Sequence, residues 1–231
     1  DPKEAELLTS YIKPILLLQK SNNYYLSNLI APGLHNIGVM LPYTGLHAML
    51  FDKVREPAFV MTSANPPNEP IVTENVEAIK KLGSVVDFFL FHNRTIAHRC
   101  ADPVVRLHGE DQSIIRRSRG YAPEPVHLKR LAKSCALGVG AELNVTSCVL
   151  LGNKAFISQH IGDVENLETL HFLKNSINHL TKLTNSKVEV IACDLHPKFT
   201  TTKLAQDLGN KLDCPIVPVQ HHHAHVASLM G

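Results

Sequence analysis

Ala136-Leu137-Gly138-Val139-Gly140-Ala141-Glu142-Leu143-Asn144 opens the part of the chain whose order of elements decides the fold. Residues 136–140, 145–151 and 155–159 read as three short strands, and Gly152-Asn153 suits a hairpin turn between the last two. Leu167, Leu170, Leu173, Ile177, Leu180 and Leu183 then recur at helical spacing. A strand follows at 188–192, a helix at about 201–212, a strand at 216–219, and a histidine-rich helix after it.

The resulting order, βββαβαβα, is that of a ribonuclease-H-like lobe of the kind found in the sugar kinase, Hsp70 and actin superfamily. In that architecture the turn after the first strand grips phosphate through backbone N–H groups. Gly138, Gly140 and Asn144 are therefore candidates for a phosphate loop. A G-x-G alone is also an ordinary tight turn, and its position is what gives it weight.

The last helix carries Val219-Gln220-His221-His222-His223-Ala224-His225-Val226. If the helix begins after Pro218, His221 and His225 are spaced i, i+4 and lie on one face, close enough to hold one metal ion. A purification tag does not fit, because Ala224 interrupts the histidines and the run continues into the apolar Val226-Ala227-Ser228-Leu229-Met230. Imidazole pairs suit both iron and zinc, so the ion stays open. His160, Asp163, Asp194 and His196 also fall near strand ends, where capping is the default reading of an acid taken singly.

Upstream, the chain reads as strand-rich α/β structure. Residues 14–18, 37–41, 58–61, 86–90, 104–107 and 114–116 are short apolar runs suited to buried strands. Residues 74–82 form a helix with acids first and lysines last, ended by Gly83. Thr62-Ser63-Ala64-Asn65 follows one of the apolar runs. Its hydroxyl and amide groups could bind a phosphate or carbonyl, or simply turn the chain. Arg94, Arg99, Arg106, Arg116, Arg117 and Arg119 recur between the strands, of which one or two are expected to meet ligand. Residues 120–133, rich in proline and then basic, read as a linker.

Composition sets broad limits. With 44% hydrophobic and 19% charged residues the 231-residue chain is an ordinary soluble globular sequence, long enough for one or two domains. A net charge of +2 does not by itself point to nucleic acid. No apolar run is long enough to cross a bilayer, and no signal peptide opens the chain. Five scattered cysteines without a C-x-x-C read as free thiols in a reducing, cytoplasmic setting. Because the chain starts at Asp1 and stops in a helix-like pattern, it reads as an internal piece of a longer protein.

Taken in order, these segments resemble the hydrogenase maturation carbamoyltransferase family, HypF. The likeness runs through residues 31–34, 37–44 with Leu46-His47, 61–65 with Glu69-Pro70-Ile71, 92–94 and 116–121. It continues through residues 137–143, 158–163 and 193–197, and closes on His221 to His225. The resemblance implies two domains: residues 1–125 as the C-terminal part of a YrdC-like twisted α/β domain, and, after a linker at 126–134, residues 135–231 as the first lobe of a threonylcarbamoyl-transferase-like domain.

The same resemblance implies an ATP- and Mg²⁺-dependent step that makes carbamoyl-adenylate from carbamoyl phosphate. Ser63 and Asn65 match a nucleotide-binding S-x-N motif, joined by Arg106 and Arg117. His221 and His225 match H-x-x-x-H ligands of an iron or zinc ion. The acceptor implied is the C-terminal cysteine of the partner HypE, on the way to the cyanide ligand of a [NiFe]-hydrogenase. Pro103 stands where the family pattern has a serine. The family's acylphosphatase and zinc-finger-like parts, its K-x-R phosphate grip and its second transferase lobe with an Asp ligand have no counterpart, so these 231 residues alone are expected to be inactive. Two other readings are threonylcarbamoyl transfer to tRNA and a non-catalytic module with weak double-stranded RNA binding.

Overall fold

The computed structural model describes residues 1–24 and 26–230. They form two compact units, Asp1–Ser63 with Cys100–Tyr121, and Ala64–Arg99 with Ala122–Gly231.

The first unit contains α1 (Pro2–Thr9), β1 (Ile15–Gln19), β2 (Asn36–Val39), α2 (Gly45–Lys53), β3 (Val104–His108) and β4 (Asp111–Arg116). Asp1 and Glu4 form a capping box at the start of α1, and the Thr44 side chain caps α2 through the His47 N–H. The sheet runs β2-β1-β3-β4, with β1 and β3 parallel and the outer pairs antiparallel. Leu16 and Val105, paired in register on the two central strands, are fully buried.

Two expected strands are not there. Residues 58–61 and 86–90 are irregular, and Val60, Met61, Phe88 and Leu90 are exposed. An apolar run becomes a strand only when a neighbouring strand takes its backbone hydrogen bonds, and none does so among the described residues.

The second unit contains α3 (Asn75–Leu82), β5 (Pro125–His127), β6 (Ala136–Gly138), β7 (Cys148–Leu151), β8 (Lys154–Ile157), α4 (Leu167–Leu183), β9 (Val190–Asp194), α5 (Thr200–Leu212), β10 (Ile216–Val219) and α6 (His221–Ser228). Its sheet runs β10-β9-β6-β7-β8-β5. β6, β9 and β10 are parallel, whereas β7, β8 and β5 continue antiparallel. Apart from the added edge strand β5, this is the ribonuclease-H-like arrangement that the element order predicts.

β5 lies in the stretch that reads as linker, where proline masks it; an edge position tolerates proline because one side needs no donor. The second expected strand begins at Cys148 rather than Val145, because Gly140 and Asn144 take positive φ and Val145 instead bridges to Gly162. The tight turn at Gly152-Asn153 joins β7 to β8 as expected, with Gly152 at φ 61°.

The core gathers Leu137, Val139, Val149, Leu173, Ile191 and Leu204 between the sheet and its helices. α4 turns Thr169, Phe172, Leu173, Ser176, Ile177 and Leu180 inward. Leu167 and Leu183, counted in the sequence stripe, sit outside it.

Residues 64–99 pack into this unit through His98 and Arg99. The His98 and His179 rings stack with centroids 4.1 Å apart, and the Arg99 guanidinium lies 4.9 Å from the Phe172 ring centroid. Gln159 Nε2 donates to the Arg99 carbonyl and lies 3.0 Å from His98 Nε2. His98 Nε2 therefore accepts and has to be unprotonated. Burial lowers the His98 pKa from its usual value, and His179 and Arg99 lower it further.

A base held neutral in the fold binds fewer protons than in the unfolded chain. Its contribution is complete above the unfolded pKa near 6.5 and is lost as pH falls through the lower folded value. The urea midpoint of this protein is expected to drop between pH 7.5 and 5.5, with a shallower drop in His98→Asn. An equal pH dependence in both proteins would contradict the assignment.

Candidate functional site

The parallel half of the second sheet places the site. β9 and β10 pair in register from Ile216↔Ile191 to Val219↔Asp194, so Asp194 ends one strand beside the residue two before His221 on the next. α6 then starts at once, with the Gln220 side chain accepting the His223 N–H. The result is a cleft of about 330 Å³ lined by Gly138, Gly140, Asp194, His221, His225 and Ser228 among others. It sits at the C-terminal ends of parallel strands, where open α/β sheets place ligands.

The two predicted metal-ligating histidines meet there. His221 Nε2 and His225 Nε2 are 3.2 Å apart, with ring centroids at 4.8 Å. A tetrahedral zinc ion bound at about 2.0–2.1 Å holds two nitrogens roughly 3.3–3.4 Å apart. The pair fits a single ion without moving either ring far. Among the described residues no group of three or more His, Cys, Asp or Glu side chains is arranged to hold a metal ion.

Asp194 completes the cluster and does more than cap a turn. Its Oδ2 lies 2.6 Å from His221 Nδ1, and its Oδ1 accepts the His196 N–H at 2.8 Å. Burial pushes the Asp194 carboxyl up. The hydrogen bond from His221, the one from the His196 N–H and attraction to both imidazoles outweigh burial, and the carboxyl sits below its ordinary value. The signal in the sequence was its place at a strand end. Its partner is 27 residues away, and only the strand register brings the two together.

The predicted phosphate loop lines the same cleft in part, through Gly138 and Gly140. Gly138 ends β6, and Gly140 has φ 84°. A Cβ on Gly140 would stand 2.7 Å from the Thr146 carbonyl oxygen and 2.8 Å from Val145 Cγ1, so only glycine fits. Asn144 also takes positive φ, at 49°, and its N–H donates to Asp163 Oδ1 at 2.7 Å; Asn144 is not among the cleft-lining residues. The loop's Glu142 turns to the start of α5, accepting the Thr200 and Thr201 N–H groups at 3.2 and 3.4 Å, where Phe199 supplies no side-chain cap.

The predicted nucleotide residues have different surroundings. Ser63 is exposed. Asn65 Nδ2 donates to the Pro66 and Glu69 carbonyls at 3.0 and 2.9 Å, which closes the turn after it, and its buried Oδ1 has no partner. Arg106 Nη2 lies 3.3 Å from His35 Nε2, and Arg117 Nη2 donates to the Tyr121 carbonyl at 2.7 Å. None of the four lines the apolar cavity of about 660 Å³ in the first unit. Arg119 is taken up structurally, paired with Asp102 at 2.9 Å and stacked 3.7 Å over the Tyr43 ring. Pro103 is buried, and its carbonyl accepts the Ile15 N–H at 2.9 Å.

Two family models match the chain. The family model for the HypF Kae1-like domain matches residues 131–231, and the Sua5, YciO and YrdC model, described as telomere recombination, matches residues 2–118. A probable carbamoyltransferase HypF of Methanocaldococcus jannaschii is 47% identical over all of this chain and 30% of its own length. Carbamoyltransferase HypF2 of Cupriavidus necator is 41% identical over 99% of this chain and 30% of its own.

Two solved structures superpose closely. HypF of T. kodakarensis does so with a TM-score of 0.92 at 44% identity, covering all of this chain and 30% of that one. A full-length HypF in its phosphate- and nucleotide-bound form gives 0.89 at 41% identity, covering 100% and 36%. The chain thus spans about a third of the length of the relatives it matches. On the YrdC-like and Kae1-like matches, the identities over the whole of this chain and the two superpositions together, the chain belongs to the HypF family.

Proposed function

We propose that the chain contributes to a carbamoyltransferase of [NiFe]-hydrogenase maturation. Water splits carbamoyl phosphate into carbamate and phosphate, carbamate joins Mg²⁺-bound ATP to give carbamoyl-adenylate and pyrophosphate, and the thiolate of the C-terminal cysteine of HypE takes the carbamoyl group as AMP leaves. The observation that carries this reading is the shared cleft: Gly138 and Gly140 face the same space as His221 and His225. Family membership supplies the chemistry that such a cleft would serve.

In this reading the Gly138–Gly140 backbone approaches the phosphates closely, because no side chain stands in the way. The His221 and His225 Nε2 atoms would hold an iron or zinc ion, which when bound would supply Lewis-acid polarisation of the carbamoyl or phosphoryl oxygens. Asp194 keeps the His221 ring oriented. Ser63, Asn65, Arg106 and Arg117 are assigned to nucleotide binding in the YrdC-like part, with Asn65 acting by shaping the turn. No described helix is long and apolar enough to cross a membrane. With two metal-binding side chains and about a third of its relatives' length, the 231-residue chain is expected to need further structure for turnover.

The test is carbamoyl-phosphate-dependent ATP–pyrophosphate exchange by the whole protein, with Ser63→Ala and Arg106→Gln beside it. Loss of one hydrogen bond to a charged group costs about 1.5–3 kcal/mol, so exchange is expected to fall roughly 10- to 100-fold in each variant. Exchange that instead requires threonine and bicarbonate would replace this reading with the tRNA-directed one. Absence of exchange with either substrate would remove adenylation altogether.

A further inference from the structure

We infer that Asp194 is a positioning residue: its carboxylate fixes His221 as the Nδ1-protonated tautomer, so that His221 Nε2, facing His225 Nε2, is presented ready-made to one zinc-like divalent ion. The inference rests on the metal reading of the histidine pair and goes beyond it by assigning the atom each ring uses and the group that decides it.

Three observations carry it. The Asp194 side chain is only 7% exposed, so the carboxylate that meets His221 Nδ1 at 2.6 Å has little access to water. Its other oxygen is held by the His196 N–H, so the carboxylate cannot swing away without losing a backbone hydrogen bond. A carboxylate only accepts, so the proton shared with Nδ1 belongs to the ring, and in the neutral ring Nε2 keeps its lone pair. His225 has no such partner at its Nδ1 among the described contacts, and its Nε2 faces that of His221 at 3.2 Å. The two ligands therefore differ: His221 is set before an ion arrives, and His225 adjusts its proton when the ion binds. Carboxylates placed behind a ligating histidine in this way orient the ring and raise its basicity, and their loss typically weakens binding about 10- to 100-fold.

Asparagine at 194 separates positioning from mere support. Its Oδ1 can keep the His196 N–H and with it the turn. Its Nδ2 would then donate to His221 Nδ1, driving the ring proton to Nε2, where it blocks the ion.

The experiment uses the full chain labelled with 15N-histidine, with His221 assigned through His221→Asn, followed by titration with Zn²⁺. In the metal-free protein His221 is expected to show a proton on Nδ1 alone. Asp194→Asn moves it to Nε2, and Zn²⁺ affinity falls about 10- to 100-fold in both Asp194→Asn and Asp194→Ala. A proton found on Nε2 in the unaltered protein overturns the inference without any variant having to fold. Unchanged tautomer and affinity in Asp194→Asn overturn it too, as does failure of the unaltered protein to bind Zn²⁺. Asp194-dependent Zn²⁺ binding in a protein without carbamoyl-dependent exchange would support the inference and overturn only the carbamoyl reading.

Discussion

Gly140→Ala is expected to destabilise the second unit by about 2–5 kcal/mol, combining the cost of a left-handed side-chain residue with that of overpacking. At φ 84° a new Cβ meets the Thr146 carbonyl oxygen at 2.7 Å and Val145 Cγ1 at 2.8 Å, and the carbonyl is backbone that cannot rotate aside. The same backbone is anchored next door, where the Val139 N–H donates to the Ala192 carbonyl at 3.1 Å. Relief would have to come from the loop that faces the cleft. Gly138→Ala is the internal comparison. Its Cβ would meet Cys148 O and Cβ at 3.8 and 3.9 Å, ordinary contact distances, and its φ is not positive. Urea unfolding of the two variants checks this: Gly138→Ala should stay within about 1 kcal/mol of the parent. Equal losses would mean that the turn does not depend on Gly140.

His225→Ala is expected to weaken binding of the single divalent ion at least about 100-fold, beyond the range for removing a supporting group. It should leave the fold intact. His225 is exposed on α6, buries nothing, and alanine is the better helix former. His222→Ala is the contrasting variant within the same cluster. His222 points to Gln220, with Nδ1 2.8 Å from Gln220 Nε2, and does not line the cleft. Metal analysis and Zn²⁺ titration of the three proteins check the difference. Loss of metal in His222→Ala with retention in His225→Ala would reassign the ligands.

What could be read from the sequence follows the range of the interactions. His221 and His225 were legible because i, i+4 spacing on a helix is fixed by local geometry alone. Gly140 was legible from its place after the first strand of a βββαβαβα order, which the sheet reproduces. Asp194 was visible as a strand-terminal acid, but its pairing with His221 depends on the parallel register of β9 and β10, which no local pattern encodes. Residues 58–61 and 86–90 misled for a related reason: apolar composition describes a side chain's preference, and strand formation needs a partner backbone. β5 was hidden because Pro125 reads as a breaker when its edge position is unknown. The family resemblance marks Asn65 as a nucleotide-binding residue, and the structure commits its amide nitrogen to two carbonyls of its own turn.

In the proposed function the Gly138–Gly140 turn and the His221–His225 pair form one site. The most direct measurement is anomalous diffraction at the zinc edge from crystals of the protein grown with Zn²⁺ and a non-hydrolysable Mg–ATP analogue. A single strong peak is expected between His221 Nε2 and His225 Nε2, with phosphate density against the Gly138–Gly140 backbone in the same cleft. Zinc on His222 or His223, or phosphates bound away from that turn while the histidine pair is filled, would contradict it.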